Sequence, residues 1–426
     1  MLFSVFPESL KFDMENTTQP YLRRQAQEIL EGGIREAVRK LGALIENCVA
    51  PFLAVAIRAL RPLVLIRVGL ISSHTYGAYA VCTEVYLCEK DAGLHGKRVF
   101  DIFVNDGRGL SNKQLKKMWR RALPMPVFNG LFDKVWRLLP EQHSVPFRDV
   151  DRDLDIHSLM PRSGGPHIRF SKREEASGRE ELFKLGVPDG VPFVCFHARD
   201  TAYTKTMMPD GEMQEESNFR NCNIENYMEA IKAVTDRGSY ALRMGSMVER
   251  PLPMTGPQVL DYATIGRTDF LDVYLGANCR YFIGSTGGAF AVAQIFGKPL
   301  VLTNYALLFN VYSYGANVIF IPKRLWSQEK QRPLTFREII QTDVSDLRHS
   351  QQFDELGINH QENTAGEIAA VVVEMEDRLS GDWEGTTEDE QLQEKFWSLY
   401  PTNNAGGAPQ ARIGAQFLRE NQYLLE

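Results

Sequence analysis

Between Pro192 and Tyr305 the chain repeats one pattern: a short apolar run, a small or polar loop, then a segment with helical spacing. Phe193-Val-Cys-Phe196 reads as a buried strand leading into His197-Ala-Arg-Asp200. A polar loop follows, then a helix from Ile224 to Asp236 closed by Gly238. Tyr240-Ala-Leu-Arg243 is a strand ending at Met244-Gly245, and Thr268-Asp269 cap a helix from Phe270 to Ala277. Arg280-Tyr-Phe-Ile283 is a strand ending in Gly284-Ser-Thr-Gly-Gly288, a helix runs on to Phe296, and Leu300-Val-Leu302 is a further strand. Short strands alternating with helices over this length predict a doubly wound α/β unit.

Upstream the same signal is sparser. Ile29, Ile34, Val38, Leu41 and Ile45 recur at helical spacing within Tyr21–Leu60, and Gly32-Gly33 is placed to break that segment into two helices. Pro62 introduces a strand, Leu63-Val-Leu-Ile-Arg-Val68, that ends at Gly69; a loop over Ser72–Gly77 and a helical run over Tyr79–Leu87 follow. Phe100-Asp-Ile-Phe-Val104 reads as a second strand and Asn112–Arg121 as a basic helix, an order that again suggests a parallel sheet. Asp149–Gly165 is polar and is the best linker; Ser171 with Glu174 resembles a capping box for a helix to about Leu185. The expected divisions are a helical N-terminal extension over 1–61, a Rossmann-like domain over 62–165, a second over 166–380, and a tail over 381–426 in which Ala411–Glu426 docks as a last helix.

With 426 residues the chain is too long for one ordinary core. Its 44% hydrophobic and 24% charged residues are those of a globular protein, and a net charge of -6 argues against nucleic acid as the main partner. The six cysteines are scattered without a CxxC pair, which fits reduced thiols and a cytoplasmic location. No signal-peptide pattern opens the sequence. The apolar stretch Cys48–Ile71 is interrupted by Arg58, Arg61, Arg67, Pro51 and Pro62, so it reads as an amphipathic surface helix at most and not as a membrane span.

The candidate chemistry sits at predicted strand ends, the edge where open α/β sheets bind ligands. His197, Arg199 and Asp200 end one strand; Arg suits bidentate phosphate contact and His adds a hydrogen bond, unless Arg199 and Asp200 simply pair with each other. Gly284, Ser285, Thr286, Gly287 and Gly288 end another, where small residues admit a ligand to the backbone and free N–H groups attract anions; the plain alternative is a glycine turn with an ordinary N-cap. Two such loops on one sheet favour a phosphate-bearing ligand. Arg243 and Gly245 end a third strand and join the set as contacts to base, ribose or phosphate, while Arg220 and Asn221 lie in a polar loop that is either simply solvated or able to fold over the ligand. Asp269 and Asp272 read as cap and surface carboxylates.

Several motifs are missing. No GxGxxG follows the first strand of either half, and there is no GxxxxGK[ST], which disfavours dinucleotide oxidoreductases and P-loop kinases. The run Asp149-Val-Asp-Arg-Asp-Leu-Asp155 suggests an EF-hand loop or a DxD metal site, but Leu154 and Met160 occupy the positions an EF-hand reserves for Gly and Glu, and Arg148 and Arg152 neutralise it; a solvated linker fits better. The helix carrying Lys113, Lys116, Lys117, Arg120 and Arg121 is either a solvated face or, with Trp119, a contact to anionic lipid headgroups.

The ordered series Phe196–Tyr203, Asn218–Tyr227, Arg243-Met-Gly245, Thr268–Asp272 and Phe282–Ser285 resembles a bacterial family of glycosyltransferases from surface-polysaccharide gene clusters. The resemblance extends to Ile66–Gly69, Thr83–Gly93 and Arg412–Asn421 and so covers most of the chain. His197-Ala-Arg199 is similar to the HxR element of the fucosyltransferase superfamily, and Phe282–Ser285 with its glycines to the donor loop of heptosyltransferase-like enzymes. Both have the GT-B architecture. The resemblance implies an α/β, GT-B-like fold, two Rossmann-like domains facing across a cleft, with a sugar-nucleotide site on the C-terminal side. It implies transfer of a sugar to a glycan or lipid-linked acceptor without a metal and without a cofactor beyond the donor itself. In the family a Gly-His pair follows the first strand, whereas here Gly77 precedes Ala78; His74 is close by. The expected roles are Arg199 at the departing diphosphate and His74 or Glu84 as base. The alternatives are a GT-B-fold nucleotide-sugar epimerase and a non-catalytic nucleotide-sugar-binding protein. Peripheral contact with the inner membrane would run through helix 112–121.

Overall fold

The structure is a computed structural model that describes residues 14–148, 155, 157–202, 205, 217–254, 256–308, 315, 317–400 and 409–426, with side chains at 31 and from 33 onward. In chain order, α1 (Met14–Ala59) leads to β1 (Leu65–Ile71), α2 (Tyr76–Asp91), β2 (Val99–Asn105), α3 (Lys113–Ala122), α4 (Asn129–Leu138) and α5 (Lys172–Lys184). Then come β3 (Phe193–Phe196), α6 (Met228–Asp236), β4 (Tyr240–Arg243), β5 (Val259–Leu260), α7 (Asp269–Asn278), β6 (Phe282–Gly284), α8 (Ala291–Ile295), β7 (Leu300–Tyr305) and β8 (Val318–Pro322). The chain closes with β9 (Arg324–Ser327), β10 (Arg332–Pro333), β11 (Ile358–Gln361), α9 (Ala365–Ser380), α10 (Thr387–Trp397), β12 (Arg412–Ile413) and α11 (Ala415–Glu420).

Two compact units result. The first is built from residues up to Leu70 with Arg98–Val104 and Met125–Val145; the second from Ile71–Lys97, Asn105–Pro124 and Pro146–Glu426. In the first, α1 runs through a kink at Gly33 (φ 61°, ψ -154°), the glycine pair that the sequence marked as a break. Ala50, Ala54 and Ile57 of α1 pack on Val135 of α4, and Lys134 ties the helices through Glu46 (3.0 Å) and the Ala43 carbonyl (2.9 Å). β1 and β2 pair in a two-stranded sheet, across which buried Arg67 grips Asp101 at 2.7 and 2.8 Å.

The second unit is organised by a seven-stranded sheet in the order β12-β8-β7-β6-β3-β4-β5. Every neighbouring pair is parallel. Its central strands, Phe193–Phe196 and Phe282–Gly284, are buried throughout, as continuous apolar runs covered on both faces must be. The expected α/β class and parallel sheet are present, and β3 and β4 fall on the residues the sequence marked. The capping box at Ser171 and Glu174 opens α5, and Thr268 caps α7.

Two expectations are corrected. The segment from Ala411 is not one helix: Arg412 and Ile413 first add β12 to the sheet edge, pairing with Ile319 and Phe320, before α11 begins. Nor does α3 present its aromatic outward. Trp119 is fully buried and serves packing, while Lys117 and Arg121, still exposed, reach Glu174 at 2.8 and 2.9 Å. Of the acidic run, Asp149–Leu154 lie outside the described residues; Asp155 is buried at φ 46° and accepts from the amides of Leu159 and Met160, which makes it a turn organiser.

Candidate functional site

Strand order in the second unit reverses between β3 and β6. From β3 the chain winds outward through β4 and β5; from β6 it winds the other way through β7 and β8. At such a reversal the loops leaving the two central strands diverge and open a crevice beyond their C-terminal ends. The loops here are His197–Asp200 and Gly284–Gly288, and they are bonded to each other. The His197 amide donates to the Ile283 carbonyl at 2.9 Å, and the Arg199 amide to Ser285 Oγ at 3.0 Å.

The Gly284–Gly288 loop is held by its hydroxyls and leaves its amides open. Thr286 Oγ1 accepts from the Ala306 amide at 2.7 Å and donates to the Asn304 carbonyl, which binds the loop to the end of β7. Among the described residues, the N–H groups of Ser285, Thr286, Gly287 and Gly288 meet no acceptor. Ser285 and Thr286 are nevertheless buried, at 2% and 5% exposure. Gly287 is exposed and Gly288 half-buried, so the run of donors opens outward at the strand end, an arrangement able to cradle an anion. The expected helix after this loop begins only at Ala291 and is five residues long, so the open amides themselves, and not a long helix end, form the cradle.

Arg199 lies along this cradle: a methyl group on Gly287 would stand 3.6 Å from Arg199 Cδ. Its Nη1 donates to the Ser217 carbonyl (2.7 Å) and Asn221 Oδ1 (2.9 Å), and Nη2 to Ser217 Oγ (2.9 Å). Asn221 thus clamps the Arg199 guanidinium, while half-buried Arg220 rests on the Phe219 ring. Burial, then the nearby Arg220, lowers the Arg199 pKa to about 10, which leaves it cationic at neutral pH. His197 lies beside Gly245, whose added methyl would come within 3.7 Å of the imidazole. Burial, reinforced by Arg243 and Arg199, pushes its pKa down to about 4, so the ring is neutral and supplies one donor and one acceptor.

Other expected contacts have inward duties. Arg243 is 2% exposed, donates to the Arg250 carbonyl at 2.7 Å and faces Asp261 at 3.6 Å, so it braces the 245–250 loop. Asp200 accepts from the amides of Ala202 and Glu249, both at 3.0 Å, and does not pair with Arg199. Asp272 is buried against the Tyr262 hydroxyl (3.0 Å) and Arg267 and is no surface carboxylate; burial pushes it up to about 6. Lys323, which the sequence reading missed, follows β8, is 5% exposed and donates to the Asn221 carbonyl at 2.5 Å. Its position directly after a strand was the available signal.

On the other side of the cradle stands α2. Gly77 in its first turn meets Gly288 backbone to backbone: a Cβ on either residue would lie 2.8 Å from the other's Cα. His74, three residues earlier, is therefore within about 11 Å of Gly77 by chain length alone. Its Nδ1 sits 2.5 Å from Oδ2 of Asp106, the residue just after β2. Ser73 Oγ donates to the Gly109 carbonyl at 2.8 Å, and the Asp106 amide to the Ile71 carbonyl at 3.1 Å. A carboxylate can only accept, so in this pair the imidazole donates from Nδ1. Asp106 was not singled out in the sequence, where nothing local links it to His74.

Glu84 does not join this group. It is 1% exposed and receives His167, through Nδ1 at 2.8 Å and the backbone amide at 3.2 Å, while His167 Nε2 reaches Asp91 at 2.9 Å. Glu84, Cys88 and His167 bring their ligand atoms within 4.8 Å of one another, so among the described residues this is where a metal ion could be held. It lies two helical turns along α2 from Gly77.

No protein-family model matches the chain, and no curated protein matches its sequence. Among solved structures it is similar to the glycosyl transferase family 9 from Veillonella parvula, with TM-score 0.39 and 13% identity over 61% of this chain and 86% of that one. The E. coli ADP-heptose LPS heptosyltransferase II aligns with TM-score 0.36 and 12% identity over 60% and 90%. The E. coli heptosyltransferase WaaC with ADP aligns with TM-score 0.26 and 10% identity over 56% and 86%. Likeness at this level assigns nothing by itself.

Proposed function

We propose that the chain is a glycosyltransferase of the GT-B kind, moving a sugar from a nucleotide donor to a glycan or lipid-linked acceptor. The observation that carries this reading is the cradle at the strand-order reversal, with its four open amides and the clamped Arg199 beside it. A diphosphate offers the negative charge and the acceptor oxygens that such a run of donors calls for. Arg199 and the amides of Ser285–Gly288 would take up the negative charge that grows on the departing diphosphate, and neutral His197 would add one hydrogen bond. Fixed donors of this kind do the work that a divalent ion does elsewhere, which supports metal-independent transfer. His74, oriented by Asp106, is the base for the acceptor hydroxyl. The ordered motif series of the resembled family supports the same assignment. In this reading the loops after β3 and β6 bind the donor, and the His74–Asp106 pair serves the acceptor.

The test is a thermal-shift screen of sugar nucleotides with wild type and Arg199→Ala, followed by turnover with and without acceptor in the presence of EDTA. One nucleotide sugar should raise the wild-type melting temperature. Loss of a charge-assisted contact should weaken its binding about 10- to 100-fold in the variant. Equal shifts for the two proteins, or none for wild type, would sink the donor-site assignment. Turnover that needs no acceptor would indicate an epimerase, and turnover that EDTA abolishes would refute metal independence.

A further inference from the structure

The first unit carries an apolar surface that the glycosyl-transfer reading does not use. In α1 the residues Ile34, Val38, Leu41, Ile45, Phe52 and Val55 are between 54% and 85% exposed. Gly33–Ala59 has a mean hydropathy of 1.6 over its most apolar window, of which only 17% is buried. It is thus no core helix. The sequence had drawn the apolar stretch from Cys48; the exposed run begins fifteen residues earlier and stops before β1.

We propose that this face of α1 lies in the plane of an anionic lipid bilayer and anchors the protein to it. Four observations select that occupant. Between Leu41 and Ile57 Glu46 is the one charged residue, and it is turned to Lys134 of α4. Exposed Arg35 stands before this stretch and exposed Arg58 and Arg61 after it, where they meet lipid phosphates while the apolar face meets acyl chains. From Leu41 to Ile57 the flanks of the face carry exposed Leu44 and Val49 with Gly42, Pro51 and Ala56, so over that length the apolar surface is wider than the seam of a paired coil and lacks the charged borders that set a partner's register. The opposite side, Ala50, Ala54 and Ile57, is packed on α4; a spanning helix would have to shed that contact, so α1 lies flat over about 40 Å. Val127 and Phe128, exposed just ahead of α4, add to the apolar surface of this unit.

The inference is independent of the donor site, because vesicle binding is read without any nucleotide. The full chain and the variant Phe52→Glu/Val55→Glu are floated with phosphatidylcholine vesicles and with vesicles carrying about one third phosphatidylglycerol. Both altered side chains are solvent-exposed, so the variant should keep the wild-type thermal melt. Wild type should float with the anionic vesicles and less with the neutral ones, and the folded variant's bound fraction should fall at least about tenfold. A wild-type chain left at the bottom with both lipids, or a folded variant that floats equally, overturns the proposal. So does a chain that ignores vesicles but sediments as an oligomer which the variant dissolves, since a second copy would then be the occupant.

Discussion

At the scale of single residues, the two glycines at the end of the cradle have separable roles. Gly288 faces the Gly77 backbone, where a Cβ would stand 2.8 Å from Cα and nothing flexible can yield. Gly288→Ala should therefore cost about 1–3 kcal/mol and lower the melting temperature. Gly287 is exposed and would place its methyl at an ordinary 3.6 Å from Arg199, so Gly287→Ala should melt like wild type while weakening any anion bound in the cradle. Thermal melts with and without ligand separate the two. His167 offers a second test. Hydrogen bonding to Cys88 and Glu84 raises its pKa to about 11, far above the unfolded value near 6.5. A raised pKa means stability that is complete below pH ~6.5 and drains away as pH climbs toward ~11. His167→Gln should flatten that alkaline decline; urea midpoints at about pH 7 and about pH 10 that fall as steeply in the variant would contradict the assignment.

Elements place the chemistry. β3 and β6 deliver His197–Asp200 and Gly284–Gly288 to one edge because they are neighbours in a parallel sheet, with Phe196 level with Ile283. That much was readable, since each loop follows an apolar run and carries residues fit for anions. What was not readable was which side chains face out. Arg199 and Arg243 both end strands, yet one lies along the cradle and the other is sealed under Arg250 and Asp261. The His74–Asp106 pair is a product of β1 and β2 ending side by side, 32 residues apart in sequence. Asp106→Asn would favour the wrong imidazole tautomer; steady-state turnover should fall by about 10²–10⁴ while the melting temperature and donor binding stay near wild type. An unchanged rate would remove His74 from the role of base.

For the molecule as a whole, the last residues belong to the core. β12 extends the main sheet, and Phe417, Leu418, Leu424 and Leu425 are all at most 3% exposed. Ending the chain at Tyr400 strips that cover, at about 1.5–3 kcal/mol for each large apolar side chain, so the shortened protein should lose its cooperative melt instead of shedding a loose tail. A sharp wild-type transition in the shortened chain would show that the segment is dispensable. The sequence by itself determined the alternation of strands and helices, the caps at Ser171 and Thr268, and the two glycine and arginine loops, because periodicity, capping and backbone freedom act within a few residues. Tertiary structure decided the rest. It set the strand order that brings those loops together, sent Arg243 and Trp119 inward, joined His74 to Asp106, and left one face of α1 bare. Each of these depends on which surfaces meet after the chain has crossed the sheet, and no local pattern records that.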